Sequence, residues 1–251
     1  MIHPMFDYQA PANLLENRII LITGSSEGIG RAAAKSFAQH GATVILHGRD
    51  VERLESAYDE IMAAGGPEPA ILPFDLSNTD YEAYVALSNS IDQEFGRLDG
   101  LLHNAGALGR RSPIEDTPTS DWMKVMQINV NAAFLLSKAM MPLLRESDDA
   151  SLLFTSSSVG RKGRAYWGGY AVSKFAIEGL MQVMADELES TSNIRVNSIN
   201  PGATNTAMRR MAYPGEVPTS NPEPETIMPA YLYLMGPDSK GTTGQAFNAQ
   251  G

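Results

Sequence analysis

Seven short apolar runs alternate along the chain with longer segments of helical period, and this alternation constrains the fold most strongly. Neighbouring parallel strands need a crossover of about a dozen or more residues, usually a helix, so the pattern predicts a parallel sheet. Strands are predicted over 18–23, 42–47, 70–74, 98–103, 151–156, 194–199 and 245–249. Helices are predicted near 29–40, 51–64, 79–95, 120–145, 167–190 and 224–235. We therefore expect an α/β fold of three layers, a doubly wound seven-stranded parallel sheet with helices on both faces.

Length and composition indicate a single domain. The 251 residues, of which 43% are hydrophobic, provide one core of ordinary size. We predict one domain over 18–251, preceded by an N-terminal tail at 1–17. The segment at about 203–225 is rich in Pro, Gly, Thr and Asn, and a loop of that length in a compact domain is usually a lid or a disordered segment. We expect a lid over a binding site.

Charge and residue content exclude several classes of function. The formal net charge of −10 opposes binding to phosphate backbones and to anionic lipids. The chain has no cysteine, and its histidines, His3, His40, His47 and His103, are scattered singly, so no metal-ligand set is apparent. The N-terminus has no basic start followed by an apolar stretch, and no window approaches a membrane span. We expect a cytoplasmic protein with no metal, nucleic-acid or membrane partner.

A glycine-rich turn, TGSSEGIG, follows the first predicted strand. Gly24, Gly28 and Gly30 fall where that strand turns into the first helix. Without side chains there, backbone N–H groups can approach a pyrophosphate at the positive end of the helix. The spacing is G-x-x-x-G-x-G, a variant of the usual dinucleotide fingerprint G-x-G-x-x-G. The turn therefore predicts a Rossmann-like fold that binds a dinucleotide.

The same residues also fit G-x-S-x-G, the nucleophile elbow of α/β-hydrolases. A hydrolase elbow follows several earlier strands and needs a histidine late in the chain. Ser26 instead lies in the first crossover, and no histidine follows His103. The dinucleotide interpretation is therefore favoured over the hydrolase.

The end of the second strand, VILHGRD, bears on which dinucleotide binds. An acid there would accept hydrogen bonds from the adenosine ribose, whereas an arginine would neutralise a 2′-phosphate. Gly48 stands in the acid's place and Arg49 follows, while Asp50 suits a cap of the next helix. These residues favour NADP(H) over NAD(H), although Glu27 in the glycine turn opposes it. Asp75, after the third strand, suits either an adenine contact or a turn.

A second constellation is YAVSK, from Tyr170 to Lys174, in the helix after the fifth strand. A spacing of four residues places both side chains on one helical face. Free tyrosine titrates near about 10, and an adjacent ammonium would lower that pKa toward the range useful for acid–base catalysis. Ser157, thirteen residues before Tyr170, lies at the end of the fifth strand, where α/β sheets place their sites.

These motifs together resemble the short-chain dehydrogenase/reductase family over nearly the whole chain. TGSSEGIG, HNAG at 103–106, Asn129, the Ser157 region, YAVSK and NPG at 200–202 occur in the order and spacing of that family. More narrowly, VMQINVNAAF, FTSSSVGRKGRAYWGGY, INPGATNTAM and IMPAYLYLM resemble its bacterial YciK-type branch. One departure is His103, which stands where the family usually has Asn and leaves its local contact open.

The resemblance implies a catalytic tetrad of Asn129, Ser157, Tyr170 and Lys174. Tyr170 would exchange a proton with the substrate oxygen, Ser157 would hydrogen-bond that oxygen, Lys174 would bind the nicotinamide ribose, and Asn129 would position a relay water. Two of these, Tyr170 and Lys174, are also expected at the cofactor. The other implied cofactor residues are Gly24, Ser26, Gly28, Ile29, Gly30, Arg49, Asp75, Leu76, Asn104, Ala105, Gly106, Pro201, Gly202 and Thr206.

We therefore predict an NADP(H)-dependent oxidoreductase that interconverts a carbonyl and an alcohol of a small molecule, with NAD(H) as the alternative cofactor. A non-catalytic dinucleotide-binding regulator or redox sensor on the same fold is the alternative function, but it would not need Tyr170 and Lys174. The resemblance also implies a homodimer or homotetramer formed through the helices at 120–145 and 167–190. Trp167 suits either a substrate or a subunit contact, and Met208, Met211 and Tyr213 suit either the lid lining or packing.

Overall fold

The computed structural model describes residues 7–251 and confirms a Rossmann-like, doubly wound sheet. Seven parallel strands stand in the order β3-β2-β1-β4-β5-β6-β7. Their bounds are β1 Ile19–Thr23, β2 Thr43–Gly48, β3 Ala70–Pro73, β4 Gly100–His103, β5 Ala150–Thr155, β6 Ile194–Asn200 and β7 Ala246–Asn248. The order reverses between β1 and β4, and ligands of such sheets bind outside the carboxyl ends of the strands at that switch point.

Eight α-helices connect or cover these strands within the described residues. Their bounds are α1 Gly28–Gln39, α2 Val51–Ala63, α3 Tyr81–Phe95, α4 Thr119–Met126, α5 Ala132–Arg145, α6 Gly168–Glu189, α7 Ala207–Ala212 and α8 Met228–Met235. One apolar core packs α1, α2 and α8 against one face of the sheet, and a second packs α3, α5 and α6 against the other. No helix in residues 7–251 combines the length and hydropathy needed to cross a membrane.

The single helix predicted over 120–145 is wrong, because the structure divides it. A π-helical turn at Gln127–Asn131 separates α4 from α5, and the Ala132 N–H donates to the Gln127 carbonyl. Such turns insert one extra residue into a helix and are frequent at functional sites. The buried member of this turn is Asn129, a predicted site residue.

The segment predicted as a lid is more regular than its composition suggests. It contains the short helix α7, capped by the Thr206 hydroxyl, which accepts from the Arg209 N–H at 3.1 Å. A 3₁₀ turn at Pro218–Ser220 follows. The Asn205 N–H donates to the Pro222 carbonyl at 2.9 Å, which joins the two ends of the segment.

The N-terminal segment packs on the domain from Tyr8 onward. The Tyr8 hydroxyl donates to Asp238 at 2.7 Å, and its ring meets Tyr233 edge-on at 5.4 Å. Leu14 and Leu15 are buried in the core beside α1 and α8. Truncating a buried leucine of this kind typically costs about 2–5 kcal/mol. The rest of the predicted tail, residues 1–6, lies outside the described residues.

Candidate active site

The glycine turn between β1 and α1 forms a cradle that leaves no room for a side chain at Gly24 or Gly30. Gly24 and Gly28 adopt the left-handed backbone conformation, with φ of 68° and 55°. A Cβ on Gly30 would stand 2.1 Å from the Gly24 carbonyl oxygen and 2.7 Å from the Asn104 amide nitrogen. The cradle leads into the N-terminus of α1, where backbone N–H groups and the helix dipole favour an anion. This geometry fits a dinucleotide pyrophosphate.

The strand β4 and the lid close around the same turn. The Thr23 hydroxyl accepts from the backbone N–H groups of Asn104 at 2.9 Å and Ala105 at 3.0 Å. A Cβ on Gly28 would stand 3.4 Å from the Thr206 methyl carbon. The predicted cofactor residues at 24–30, 104–106 and 206 therefore lie side by side. Among the others of that first turn, Ser26 and Ile29 are partly exposed beside the same helix start.

Charged side chains surround the expected adenosine position beyond β2. Arg49 lies 3.9 Å from Asp75, and both side chains are at least half exposed. The Asp75 carboxylate accepts from the Ser77 N–H at 2.9 Å, and this bond is the first cause of a lowered Asp75 pKa. Asp75 is thus a turn residue that also faces Arg49. Leu76, next to it, is buried.

Arg53 is a cation at this position that sequence reasoning missed. Asp50 caps α2 by accepting from the Arg53 N–H at 3.2 Å, as its position predicted. The Arg53 guanidinium also contacts Asp50 at 3.1 Å and Glu27 at 2.8 Å. Glu27, the one residue that argued against NADP(H), therefore already has a cationic partner. The signal in the sequence is an arginine three residues after the cap.

The His103 side chain faces the core and not the segment 104–106 that is expected to contact the cofactor. Its Nε2 lies 2.8 Å from the Ser137 hydroxyl, and its ring stacks on Phe154 with centroids 4.8 Å apart. Burial lowers its pKa to about 3, so the imidazole is neutral at physiological pH. Together with Asn129 and Lys174, it lines a small cavity behind the site. The histidine thus occupies the family's asparagine position with a packing contact of its own.

Asn129 binds the backbone of the segment after β4 through both the oxygen and the nitrogen of its side-chain amide. Its Oδ1 accepts from the Ala107 N–H at 2.7 Å, while its Nδ2 donates to the Ala107 carbonyl at 3.0 Å. Nδ2 also donates to the Ser173 hydroxyl at 2.9 Å, which links the π-helical turn to α6. Gly106 lies between Asn129 and Lys174, since a Cβ there would stand 3.5 Å from Oδ1 and 3.9 Å from Nζ.

Lys174 is a buried cation without a carboxylate ion pair among the described residues. Its ammonium donates to the Thr155 carbonyl at the end of β5 at 2.6 Å and lies 5.6 Å from the Tyr170 ring centroid. Burial lowers the pKa of Lys174 to about 8, against the opposing charge of Glu178. This ammonium is held at the carboxyl edge of the sheet with donors free for another partner.

Tyr170 differs from the sequence-based expectation in its acidity. We expected the neighbouring ammonium to lower the tyrosine pKa, but burial raises it to about 12, and only a hydrogen bond with Ser157 opposes the rise. The expected lowering is absent in this structure, because desolvation of the phenolate is the largest influence on its pKa. Tyr170 is therefore a neutral phenol at physiological pH.

Ser157, the serine that the spacing favoured, is close enough to Tyr170 to lower the pKa of its phenol against the effect of burial. The Ser157 hydroxyl also accepts from the Val159 N–H at 3.4 Å and so caps the 3₁₀ turn Ser158–Gly160. Of its neighbours, Ser156 is buried and Ser158 is exposed. The structure thus brings Ser157, Tyr170, Lys174 and Asn129 to one end of the sheet.

The chain after β6 is held by a residue that the sequence did not single out. Gly202, with φ of 76°, turns the chain, and the Gln250 side chain donates to the carbonyls of Pro201 at 2.8 Å and Ala203 at 2.9 Å. A Cβ on Gly202 would stand 2.8 Å from the Gln250 amide. Gln250 therefore anchors the start of the lid from the far end of the chain, a contact with no local sequence signal.

An aromatic wall joins the lid to α6. The Trp167 ring lies 5.7 Å from the Tyr170 ring and 5.8 Å from the Tyr213 ring. The guanidinium carbon of Arg111 lies over Trp167 at 4.6 Å and over Tyr213 at 5.0 Å, and Arg209 lies over Tyr213 at 3.9 Å. Of the two predicted lid methionines, Met208 reaches toward Gly106 and Met211 is exposed.

A phenol, a serine hydroxyl and a buried ammonium beside a glycine cradle are the parts of a dinucleotide-dependent oxidoreductase. The chain belongs to the short-chain dehydrogenase/reductase family, since the family model for short chain dehydrogenases matches residues 18–216. Over 243 residues the chain is 51% identical to the oxidoreductase YciK of Escherichia coli (strain K12). The alignment covers 97% of this chain and 96% of YciK. The predicted family and branch are thus confirmed.

Solved structures resemble the chain over nearly its full length. One, classed as a short chain dehydrogenase from Pseudomonas syringae, is 58% identical with a TM-score of 0.96 and covers 98% of this chain and 100% of its own. Another, classed likewise, from Shigella flexneri 2a is complexed with NADP. It is 51% identical with a TM-score of 0.94 and covers 96% of this chain and 100% of its own.

Proposed function

We propose that the protein is an NADP(H)-dependent oxidoreductase that interconverts a carbonyl and an alcohol, with Tyr170 as the general acid and base. The observation that carries this proposal is the buried Lys174 ammonium, which is held by the Thr155 carbonyl at the end of β5 and lies 5.6 Å from the Tyr170 ring centroid. A regulator that only binds a dinucleotide could use this ammonium for a ribose hydroxyl, but it would not need the Tyr170 phenol and the Ser157 hydroxyl at the same end of the sheet.

Carbonyl reduction uses the protonated form of Tyr170, which is the form present at physiological pH. When bound, NADPH would supply a hydride to the carbonyl carbon. Ser157 donates a hydrogen bond to the carbonyl oxygen, and Tyr170 transfers its proton to that oxygen as negative charge develops. Because the pKa of Tyr170 is raised to about 12, the phenol carries this proton throughout the physiological range. Alcohol oxidation needs the phenolate, so it should accelerate toward alkaline pH.

Lys174 and Asn129 support the phenol. The Lys174 ammonium has donors beyond its bond to Thr155, and we assign one of them to a ribose hydroxyl of the nicotinamide half. Its charge then stabilises the tyrosinate that forms as the proton leaves. Asn129 fixes the backbone at Ala107 and leaves the small cavity beside Lys174 for a water that returns the proton.

NADP(H) is the proposed cofactor because cations surround the expected 2′-phosphate position. Arg49 has a long contact of 3.9 Å with Asp75 and a mostly exposed side chain, so its guanidinium is available to a phosphate. Arg53 stands beside it and neutralises Glu27. The Shigella flexneri relative complexed with NADP supports the same assignment.

A homo-oligomer remains part of the proposal. Of the apolar residues on the two helices expected at an interface, Met140 and Met181 are buried in the core of one chain. Phe134 and Phe175 are instead 48% and 45% exposed, on α5 and α6. Sedimentation should show a dimer or tetramer, and a single species of 27.1 kDa would contradict it.

The function is tested by measuring NADPH oxidation across a panel of ketones, aldehydes and 3-oxoacyl thioesters. Ser157→Ala should lower the turnover of every accepted substrate by about 10²-fold or more, because the oxyanion loses a donor. Ser158→Ala is the matched control, since that hydroxyl is exposed and one residue away. NADPH bound tightly without any turnover, or equal turnover by both variants, would contradict the proposal.

A further inference from the structure

We propose that the substrate carries an anionic oxygen group, a carboxylate or a phosphate, and that Arg111 binds it. This inference rests on the proposed function and adds the class of substrate. Arg111 belongs to the segment after β4, and its guanidinium lies over Trp167 at 4.6 Å and Tyr213 at 5.0 Å. Since the Trp167 ring contacts the Tyr170 ring at 5.7 Å, only one indole separates this cation from the phenol.

Arg209, which lies over the same Tyr213 ring, is neutralised by a carboxylate, and Arg111 is not. Arg209 is held by both oxygens of Glu216 at 2.6 Å, and Arg161 contacts Glu178 at 3.3 Å. Within residues 7–251 the Arg111 guanidinium has no carboxylate partner, and its one hydrogen bond goes to the Ala212 carbonyl. The residue is exposed, so the remaining donors face solvent.

Contact with two aromatic rings prepares Arg111 for an anion. The rings of Trp167 and Tyr213 lie within 5.0 Å of the guanidinium carbon and restrict it, so that less side-chain freedom is lost when a ligand binds. The free edge of the fork matches the two oxygens of a carboxylate or phosphate. A protein of net charge −10 repels anions in general, so an anionic substrate needs such a local cation.

Arg111 also holds the lid through Ala212, and this second role must be separated from the first. A latch would affect substrates irrespective of their charge. Arg111→Gln removes the charge and, because its side chain is two bonds shorter, also the bond to the Ala212 carbonyl, so the two roles are separated by comparing charged with neutral substrates. Arg110→Gln is the matched control, because it removes the same charge from the adjacent exposed residue.

The experiment compares oxo acids with their methyl esters and with oxo-alkyl phosphates of the same chain length. In the wild type, kcat/KM should favour the anions, and Arg111→Gln should raise their KM by about 10- to 100-fold while leaving kcat and NADPH affinity within a few-fold. The KM of Arg111→Lys for the anionic substrates should fall between those of the wild type and Arg111→Gln. Equal increases for acid and ester, or a wild-type preference for the ester, would overturn the proposal.

Binding without chemistry gives an independent readout. Trp167 is one of two tryptophans, and its ring touches Arg111. Unreactive saturated carboxylates and phosphates should change the tryptophan fluorescence of the NADP⁺ complex, their amides should not, and Trp167→Phe should abolish the change. No response to any anion would overturn the Arg111 site even in an active enzyme. A response in an enzyme that turns over no carbonyl would instead contradict the proposed function alone.

Discussion

The sheet has ionisable groups at both its amino edge and its carboxyl edge, where the strands begin and end, but Asp149 at the amino edge has ion-pair partners and Lys174 at the carboxyl edge has none among the described residues. At the amino edge, Asp149 precedes β5 and contacts Arg18 at 3.1 Å and Arg195 at 3.0 Å. Arg195 further donates to the Leu234 carbonyl and to Ser239. At the carboxyl edge, the Lys174 ammonium bonds only a carbonyl, and neither nitrogen of the buried His47 has a hydrogen-bond partner within the described residues.

This difference separates a structural charge cluster from a functional one. Burial alone would raise the pKa of Asp149, yet Arg195 and Arg18 lower it, so the ions at the amino edge stabilise each other. At the carboxyl edge burial prevails, lowering the pKa of Lys174 to about 8 and of His47 to about 4. Perturbed groups with unused hydrogen-bonding capacity mark the edge where a ligand is expected.

Exchanging the two buried cations for methionine should give opposite results. Lys174→Met should lower carbonyl reduction by about 10²–10⁴-fold, because the tyrosinate loses its stabilising charge. The same variant should unfold no more easily than the wild type, since a buried ammonium without a carboxylate is removed. Turnover under saturating NADPH and thermal unfolding without cofactor are the two measurements. An active Lys174→Met enzyme would remove the distinction between the edges.

Arg195→Met is the counterpart at the amino edge. It should cost about 1–3 kcal/mol in the free energy of unfolding, because the partly buried Asp149 loses one of its two arginines and the Leu234 carbonyl loses a donor. Denaturant titration measures this cost, with Arg145→Met on an exposed helix end as the control. The variant should keep its turnover number at temperatures where it is folded. A loss below about 1 kcal/mol would show that the amino-edge cluster contributes little.

The free-energy cost of burying the charged Lys174 ammonium should diminish at alkaline pH. Its pKa is lowered to about 8 in the folded chain, so below that value the ammonium carries the full penalty of burial, and the penalty fades as pH rises toward the unfolded pKa. The stability advantage of Lys174→Met, about 3 kcal/mol near neutral pH, should therefore shrink by about pH 10. An advantage that stays constant with pH would mean that Lys174 titrates normally.

Acid should weaken the fold through the buried histidines. The pKa of His103 is lowered to about 3, so stability is present above the unfolded pKa and is lost as pH falls below it. His103→Asn should reduce the stability lost between about pH 7 and pH 5 by about 2 kcal/mol. His40→Asn is the control, since that ring is only partly buried. Identical acid sensitivity in the two variants would contradict the burial effect.

The fold was predictable because each strand carries its own apolar run and each crossover its own helical period. The spacing of Ser157, Tyr170 and Lys174 likewise predicted one cluster, since strand ends and helix faces follow from local geometry. The π-helical turn at Asn129 was not predictable, because one inserted residue leaves the apolar pattern of a continuous helix almost unchanged.

Contacts between segments distant in the chain could not be predicted from the sequence either. Gln250 anchors the segment after β6, and Arg111 lies over both Trp167 and the lid residue Tyr213, although none of these contacts has a local signal. The acidity of Tyr170 was misjudged because spacing shows which residues are neighbours but not how deeply they are buried.

The central claim is that the Tyr170 phenol protonates the substrate, and a single-turnover measurement tests it most directly. Tyr170→Phe and the control Tyr166→Phe, an exposed tyrosine four residues earlier, are each saturated with NADPH and mixed with an accepted carbonyl substrate. NADPH affinity should stay within a few-fold in both, and hydride transfer should slow by at least about 10²-fold in Tyr170→Phe alone. Hydride transfer at the wild-type rate in Tyr170→Phe would contradict the account.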